Sequence, residues 1–498
     1  MYRLCCSTLV GFLLLFSVAL VLAADAPLSP ATEECVDCHS SVHPGIVADW
    51  KRSRHAAISP KSAMQVQGLS LKISSKKVPD QVLNTSVGCA ECHTLRGDAH
   101  KDTFEHNGYQ IHMVVSPDDC AVCHAVEREQ YSRNIMSAAY RNLSGNPLYN
   151  DLERTILGKS EIKEGKLHFA PADPMTRADG CYYCHGTRLE VTGTEQRATD
   201  VGELVFPVLK GWPNQGVGRV NTDGSRGACS ACHTRHHFSI ETARKPYTCK
   251  ECHAGPDVPA YKVYATSKHG NIFSSIEDQW NFDHVPWSAG QDFTAPTCAV
   301  CHISLVVDSD GEVISKRTHQ MNDRLGGRIF GLIYAHAQPK SPDTTIIRNK
   351  SGLPLPTDLD GTPASAFLIS DQEAAVRRAR LERTCRACHG TSWVKGHFAR
   401  LDNTIAATNA QVRTATQLMQ TIWQKGYAQG VANGGSIFDE YIERRWSDGW
   451  LFYANNTRFA SAMAGGGDYG VFEDGRYHMN KSIMELNDWI KTRETMRR

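Results

Sequence analysis

Eight times in this 498-residue chain a histidine stands directly behind a Cys-x-x-Cys pair. The sets are Cys35, Cys38 and His39; Cys89, Cys92 and His93; Cys120, Cys123 and His124; Cys181, Cys184 and His185; Cys229, Cys232 and His233; Cys249, Cys252 and His253; Cys298, Cys301 and His302; Cys385, Cys388 and His389. Of the 18 cysteines only Cys5 and Cys6 stand outside them. In one helical turn residues i, i+3 and i+4 share a face, so the two thiols and the imidazole converge. That spacing suits covalent haem: the thiols add to the two vinyl groups and the histidine meets the iron. A disulfide framework or paired zinc sites also use cysteine pairs. Neither gives a reason for a histidine after every pair in a chain with 22 histidines in all.

Fourteen histidines remain: His43, His55, His100, His106, His112, His168, His236, His237, His269, His284, His319, His336, His397 and His478. An iron with two imidazoles carries electrons and binds nothing further, whereas one that keeps a free face takes a substrate. His55, His100, His112, His237, His269, His319 and His397 are the expected second ligands. The count does not say which iron stays open.

Arg3 followed by an apolar run from Leu9 to Leu22 and small residues at Ala23, Ala24 and Ala26 reads as a secretory signal over residues 1–24. The run is too short for a comfortable membrane span, and no later stretch offers one. An exported protein is expected, with no span in the mature chain. Lys plus Arg number 54 and Asp plus Glu 53, which gives no general attraction to nucleic acid. Small molecules and protein redox partners fit better.

The expected fold is mainly α, with a loop-rich, haem-packed part over residues 25–390 and a helical region over 391–498 that makes oligomer contacts. Apolar residues recur at helical spacing over Asp371–Arg386, Ile405–Tyr427, Phe438–Ala460 and Asn480–Thr495, and an amphipathic helix is expected over Tyr131–Leu143. Residues Asp308–Leu368, rich in Pro, Gly, Asp and Thr, read as an irregular insertion.

The motif count and order, the close fifth and sixth pairs, the His236-His237-Phe238 step, the Ser267-Lys268-His269-Gly270 step and the helical last third resemble the octahaem hydroxylamine oxidoreductases. The resemblance covers essentially the whole mature chain. It implies eight covalent haem c groups, the fourth (Cys181, Cys184, His185) being open and catalytic. It implies that Asp283 and His284 are the pocket's aspartate and histidine, accepting protons from the substrate. It further implies that Tyr469, within Gly465–Gly470, is a tyrosine donated by a neighbouring subunit and joined to the catalytic haem. Tyr477 is the fallback for that role, and Tyr334 resembles a further pocket tyrosine.

On this reading hydroxylamine is oxidised to nitric oxide or nitrite, electrons leave to a cytochrome c partner, and one-way tyrosine donation closes a homotrimer. Close alternatives are hydrazine oxidation to dinitrogen, as in the similar anammox hydrazine dehydrogenases, and inward electron flow to reduce nitrite. A carrier with every iron capped is the non-enzymatic alternative. The expected compartment is the periplasm, or the anammoxosome of an anammox organism.

Overall fold

The computed structural model describes residues 26–199, 202–430 and 435–497. The expected signal over 1–24 lies outside them. The fold is mainly α, with short helices threaded by loops in the first three quarters and long helices at the end. No helix among the described residues is long and apolar enough to cross a membrane.

The haem-attachment motifs shape the first part. Cys35–His39 lies inside helix α1 (Pro30–Val42), and Cys89–His93, Cys181–His185 and Cys298–His302 are each a one-turn helix. Elsewhere the same turn closes by a backbone bond from the histidine to the first cysteine, as in His124 N–H to Cys120 O at 2.8 Å and His253 N–H to Cys249 O at 2.9 Å. The turn places both sulfurs and the imidazole on one side.

The three longest hairpins among the described residues punctuate this region. Strands β1 (Thr103–His106) and β2 (Tyr109–His112) pair antiparallel with Thr103 opposite His112. Helix α2 (Pro147–Leu157) leads into β3 (Lys159–Lys163) and β4 (Lys166–Ala170), where exposed Ile162 and Leu167 face each other. The longest arm is β5 (Glu190–Thr199) with β6 (Gly202–Lys210), a mostly exposed ribbon. The helix expected over Tyr131–Leu143 is interrupted: Asn134 is extended (ψ 141°) and its side chain accepts from Met136 N–H, so a new helical start is imposed there.

The last third contains α3 (Asp371–Cys385), α4 (Thr391–Gln424), α5 (Tyr441–Asp448), α6 (Ala454–Ala462) and α7 (Arg476–Met496). Helix α4 starts just behind the eighth motif, earlier than periodicity indicated. A π-helical turn over Gly449–Tyr453 joins α5 to α6, so the segment expected as one helix carries an extra residue at its middle.

Val412, Ala415, Met419 and Ile422 of α4 form a stripe against Ile442 and Trp446 of α5, Trp450, and Met479 and Leu486 of α7. Burying each large side chain contributes roughly 1.5–3 kcal/mol. Trp446 meets Trp423 and Trp450 edge-on at 5.4 Å and 5.7 Å, and its Nε1–H donates to Thr416 Oγ1 at 3.1 Å. Leu332, Ile333, Tyr334 and Leu355 join this cluster. The Pro- and Gly-rich stretch therefore packs under the helices although it is irregular.

A second cluster of Tyr264, Phe273, Trp280, Phe282, Trp287 and Phe293 is held by Arg244. The Arg244 guanidinium lies 4.5 Å from the Trp287 ring centroid, and its Nη1 donates to the backbone oxygens of Phe282 at 2.6 Å and His284 at 2.7 Å.

Candidate functional site

A connected cavity of about 2730 Å³ runs through the molecule and is lined by the fourth to eighth Cys-x-x-Cys-His segments. Free cysteines of different segments meet along it and beyond it: Cys184 touches Cys252 and Cys249 touches Cys298 at the cavity, while Cys35 touches Cys89 and Cys120 touches Cys229 outside it. Cys92 lies near Cys123, Cys232 near Cys249, and Cys301 near Cys385. The segments thus form a row in the order first, second, third, fifth, sixth, seventh, eighth. The fourth segment joins it at the sixth, through Cys184 and Cys252.

An imidazole nitrogen bonds a transition metal at about 2 Å and lies about 1.1 Å from its ring centroid. Two imidazoles on opposite faces of one iron therefore have centroids roughly 6.2 Å apart. Five motif histidines have a second imidazole at that spacing: His39 with His106 at 6.2 Å, His93 with His112 at 6.0 Å, His124 with His55 at 6.3 Å, His233 with His319 at 6.4 Å, and His389 with His269 at 6.1 Å. Burial lowers His93, His124 and His233 below the usual histidine value, and His55, His112 and His319 to about 4. They are held neutral, the form that ligates metal. Among the described residues, His112 Nε2 and His319 Nδ1 are buried without a hydrogen-bond partner. The donor set fits an iron porphyrin.

His55, His112, His269 and His319 are thus brought opposite motif histidines. His106, which sequence reasoning did not select, faces His39 from the end of β1. His100 instead lies flat on His112, with centroids 3.7 Å apart. Burial would lower His100, but hydrogen bonds with Asp102 and Asp119 outweigh it and push its pKa up to about 9. His397 stacks on Trp393 at 5.3 Å and is 3.2 Å from Arg400 Nη2. His237 has no imidazole at the ligand spacing among the described residues.

His185, His253 and His302 also have no facing imidazole at that spacing among the described residues. Behind His185 three backbone strands cross: a Cβ on Gly186 would stand 2.3 Å from Arg219 N, and one on Gly218 would stand 2.7 Å from His185 O. With Val217 N–H donating to Cys184 O at 3.0 Å, and His185 Nδ1 3.2 Å from Ala139 O, the imidazole is fixed. Burial holds His185 below its usual pKa.

Tyr149, Asp257 and Arg328 line the cavity with His185 and lie within electrostatic reach of it or of one another. Burial raises Tyr149 and lowers Arg328. The Arg328 guanidinium has no hydrogen bond or ion pair among the described residues and rests 5.1 Å from the Phe330 ring centroid. An unpaired, partly buried guanidinium facing a cavity is an anion receptor. Neither Asp257 nor Arg328 was singled out from sequence, although Gly255-Pro256-Asp257 follows the sixth motif directly.

The residues carried over from the resemblance lie elsewhere. Asp283 and His284 are exposed on the loop that Arg244 anchors, with His284 Nδ1 2.8 Å from Asp292 Oδ2, and neither lines the cavity. Tyr334 is 1 % exposed in the C-terminal core and its hydroxyl donates to Leu359 O at 2.7 Å. Tyr469 opens a π-helical turn, Tyr469–Glu473, half-buried and not itself lining its own chain's cavity, which Ala462, Met463 and Ala464 just before it do line. Tyr477 is 54 % exposed at the start of α7.

Residues 215–324 match the seven-times multihaem cytochrome CxxCH family, and residues 34–114 match cytochrome c554 and c-prime. These matches and the donor geometry define a multihaem c-type cytochrome that binds haem covalently through its Cys-x-x-Cys-His segments. A solved structure titled hypothetical multiheme protein is 39 % identical, superposes with a TM-score of 0.88, and is matched over 95 % of this chain and 97 % of its own. The chain belongs to the same multihaem family as that protein.

The reducing HAO-like protein complex of Kuenenia stuttgartiensis shares the fold, with a TM-score of 0.60 and 18 % identity over 94 % of this chain and 86 % of that one. A curated relative from the same organism, named as a probable nitrite reductase-hydroxylamine oxidoreductase fusion protein, is 26 % identical over 54 % of this chain. The chain spans about a quarter (25 %) of that relative's length.

Proposed function

We propose that the chain carries eight covalent haem c groups, and that the one held by Cys181, Cys184 and His185 is the place where a small nitrogen compound reacts. His185 shares the lack of a facing imidazole among the described residues with His253 and His302, and the observation behind this is that of the three it has both Asp257 and Arg328 within electrostatic reach, with Tyr149 lining the same cavity. His106, His112, His55, His319 and His269 are read as second ligands in the first, second, third, fifth and eighth sites.

A haem with a free face supplies iron that binds nitrogen and passes single electrons. The chain's own residues do the rest. Arg328 holds an oxyanion by charge-assisted hydrogen bonds, Asp257 and Tyr149 carry protons to or from it, and the apolar lining keeps bulk water out. A free cation suits nitrite better than neutral hydroxylamine, so electrons are read as flowing inward to reduce nitrite. The name of the curated relative, which joins both activities, agrees with this pocket.

Hydroxylamine oxidation is the second reading. It is favoured by Tyr469, which sits in a glycine-bracketed turn outside its own cavity and is therefore available to a neighbouring copy, as a homotrimer with a tyrosine cross-link requires. Tyr469→Phe then removes any linked oligomer from a denaturing gel. Hydrazine is separated from hydroxylamine by its isotopically labelled dinitrogen product. On either reading the chain works as an exported protein, in the periplasm or an anammoxosome, with a cytochrome c as electron partner.

The deciding experiment is steady-state turnover of the holoprotein with nitrite and with hydroxylamine, in wild type and in Arg328→Gln. The nitrite reading expects the nitrite KM to rise about tenfold or more with the hydroxylamine KM little changed. An unchanged nitrite KM refutes it.

A further inference from the structure

Tyr149, Arg328 and Thr344 line the main cavity and also a second, small space of about 20 Å³, which they share with Asn146 and His336. The rest of the small space is walled by proline and aliphatic side chains. One water needs roughly 10–15 Å³ and two to four polar partners. Among the described residues neither the Tyr149 hydroxyl nor the Arg328 guanidinium has a hydrogen-bond partner, whereas the Asn146 amide is engaged with Pro354 O and Leu148 N–H.

His336 is placed to serve Arg328. The two are register partners in a short antiparallel pair, Gly327–Arg328 with His336–Ala337, so their Cβ atoms stand roughly 4.5–5.5 Å apart on one face. The pair is anchored: Asn409 of α4 accepts Ala335 N–H at 3.2 Å and donates to Ala335 O at 3.3 Å, and Gln338 Nε2 donates to Gly327 O at 2.9 Å. Burial and the charges of Arg328 and Arg458 push the His336 pKa down to about 3, so the ring is neutral. Its Nδ1 lies 2.6 Å from Ala337 O, which can only accept; Nδ1 therefore carries the proton and Nε2 keeps a lone pair. The other guanidinium beside it, Arg458, is 0 % exposed and lines neither space, and its terminal nitrogens donate to Asn455 Oδ1 at 3.1 Å and Asn409 Oδ1 at 2.8 Å. Arg328 is the guanidinium that faces both spaces.

We propose that His336 is a positioning residue for Arg328: through one water bound in the small space, its Nε2 accepts a guanidinium N–H and turns the other donors of Arg328 toward the cavity at His185. A carboxylate at this place would orient the guanidinium equally well but cancel its charge. A neutral imidazole orients it and leaves the positive charge for an anion. His336 thus sets how tightly an anion is held without touching it. The inference rests on the reading of Arg328 as the anion receptor.

The test is nitrite binding to the oxidised holoprotein, followed by haem absorbance, in wild type, Arg328→Gln, His336→Leu and His336→Gln, with haem content by mass and circular dichroism checking the fold. His336→Leu is expected to raise the nitrite Kd about tenfold, and His336→Gln, whose amide oxygen replaces the Nε2 lone pair, to stay within about threefold of wild type. In the Arg328→Gln background His336→Leu is expected to add nothing, because it acts through Arg328. If Arg328→Gln weakens nitrite but His336→Leu does not, or weakens it equally in both backgrounds, this inference falls and the role of Arg328 stands. If Arg328→Gln leaves the Kd unchanged, both fall. A high-resolution crystal structure of the wild-type holoprotein tests the same point without a variant: a water is expected within about 3 Å of both His336 Nε2 and an Arg328 nitrogen. A dry pocket, or an imidazole with Nε2 turned away from Arg328, overturns the proposal.

Discussion

His100 lies flat on His112, with ring centroids 3.7 Å apart and planes 5° from parallel, and bonds through its outer nitrogens to Asp119 at 3.1 Å and Thr222 at 3.3 Å. One histidine that faces His93 is thus backed by another that answers to Asp102, Asp119 and Asp223.

Removing that backing strands buried carboxylates. His100→Leu leaves Asp102 and Asp119 without their shared donor, although Arg96 still reaches Asp119 and Asp223. The expected loss is about 3 kcal/mol of folding stability. Urea unfolding of the holoprotein followed by circular dichroism measures it, and an unchanged midpoint contradicts the network's role.

The facing pairs predict a spectroscopic change. His319→Ala removes the imidazole 6.4 Å from His233, so the fifth site acquires a free face. A new high-spin ferric signal is expected by electron paramagnetic resonance, abolished by added imidazole. No new signal would mean that another group ligates there.

Asp257 is expected to carry protons for the cavity around His185. Asp257→Asn should lower kcat by about a hundredfold or more for nitrite and for hydroxylamine while KM changes little. A variant with normal kcat places the proton path elsewhere.

Glu443 makes the C-terminal helices pH-sensitive. Burial pushes its carboxyl up to about 7, and the nearby acids Glu440 and Asp439 add to this, although Trp423 Nε1–H donates to Oε1 at 2.7 Å. A carboxyl whose pKa is higher folded than unfolded binds more protons in the folded state between pH 4.5 and 7, so stability falls as pH rises through that window. Above it the cost is roughly 2–3 kcal/mol. Glu443→Gln keeps an acceptor for Trp423 and removes the charge, so its melting temperature should exceed that of wild type at pH 8 and match it near pH 4. Parallel pH profiles would rule this out.

The covalent framework was legible because its signal is local: five consecutive residues define each attachment turn. The C-terminal helices were legible through their period, except for the early start of α4 at Thr391 and the π turn at Gly449–Tyr453, one residue out of phase. The second imidazoles were harder, since a facing pair such as His55 and His124 is made by packing across sixty-nine positions that carry no shared pattern. His106 became visible only when the β1–β2 register set it at a strand end. Asp257 and Arg328 reach the same cavity from loops seventy-one residues apart, whereas the adjacent Asp283 and His284, the more suggestive pair on paper, sit in an exposed loop because Arg244 clamps it against an aromatic cluster.

The contact between Cys184 and Cys252 gives the molecule a dead-end branch. Current between the first and eighth sites has a path that never visits His185, whereas on the proposed reading anything charging or discharging the centre at His185 crosses the sixth attachment turn. Damage at Cys249–His253 would silence the chemistry outright, yet damage at either extremity would leave a second way out. On the proposed reading, the centre at His185 is wired as a stub off a through line and can be loaded from both directions.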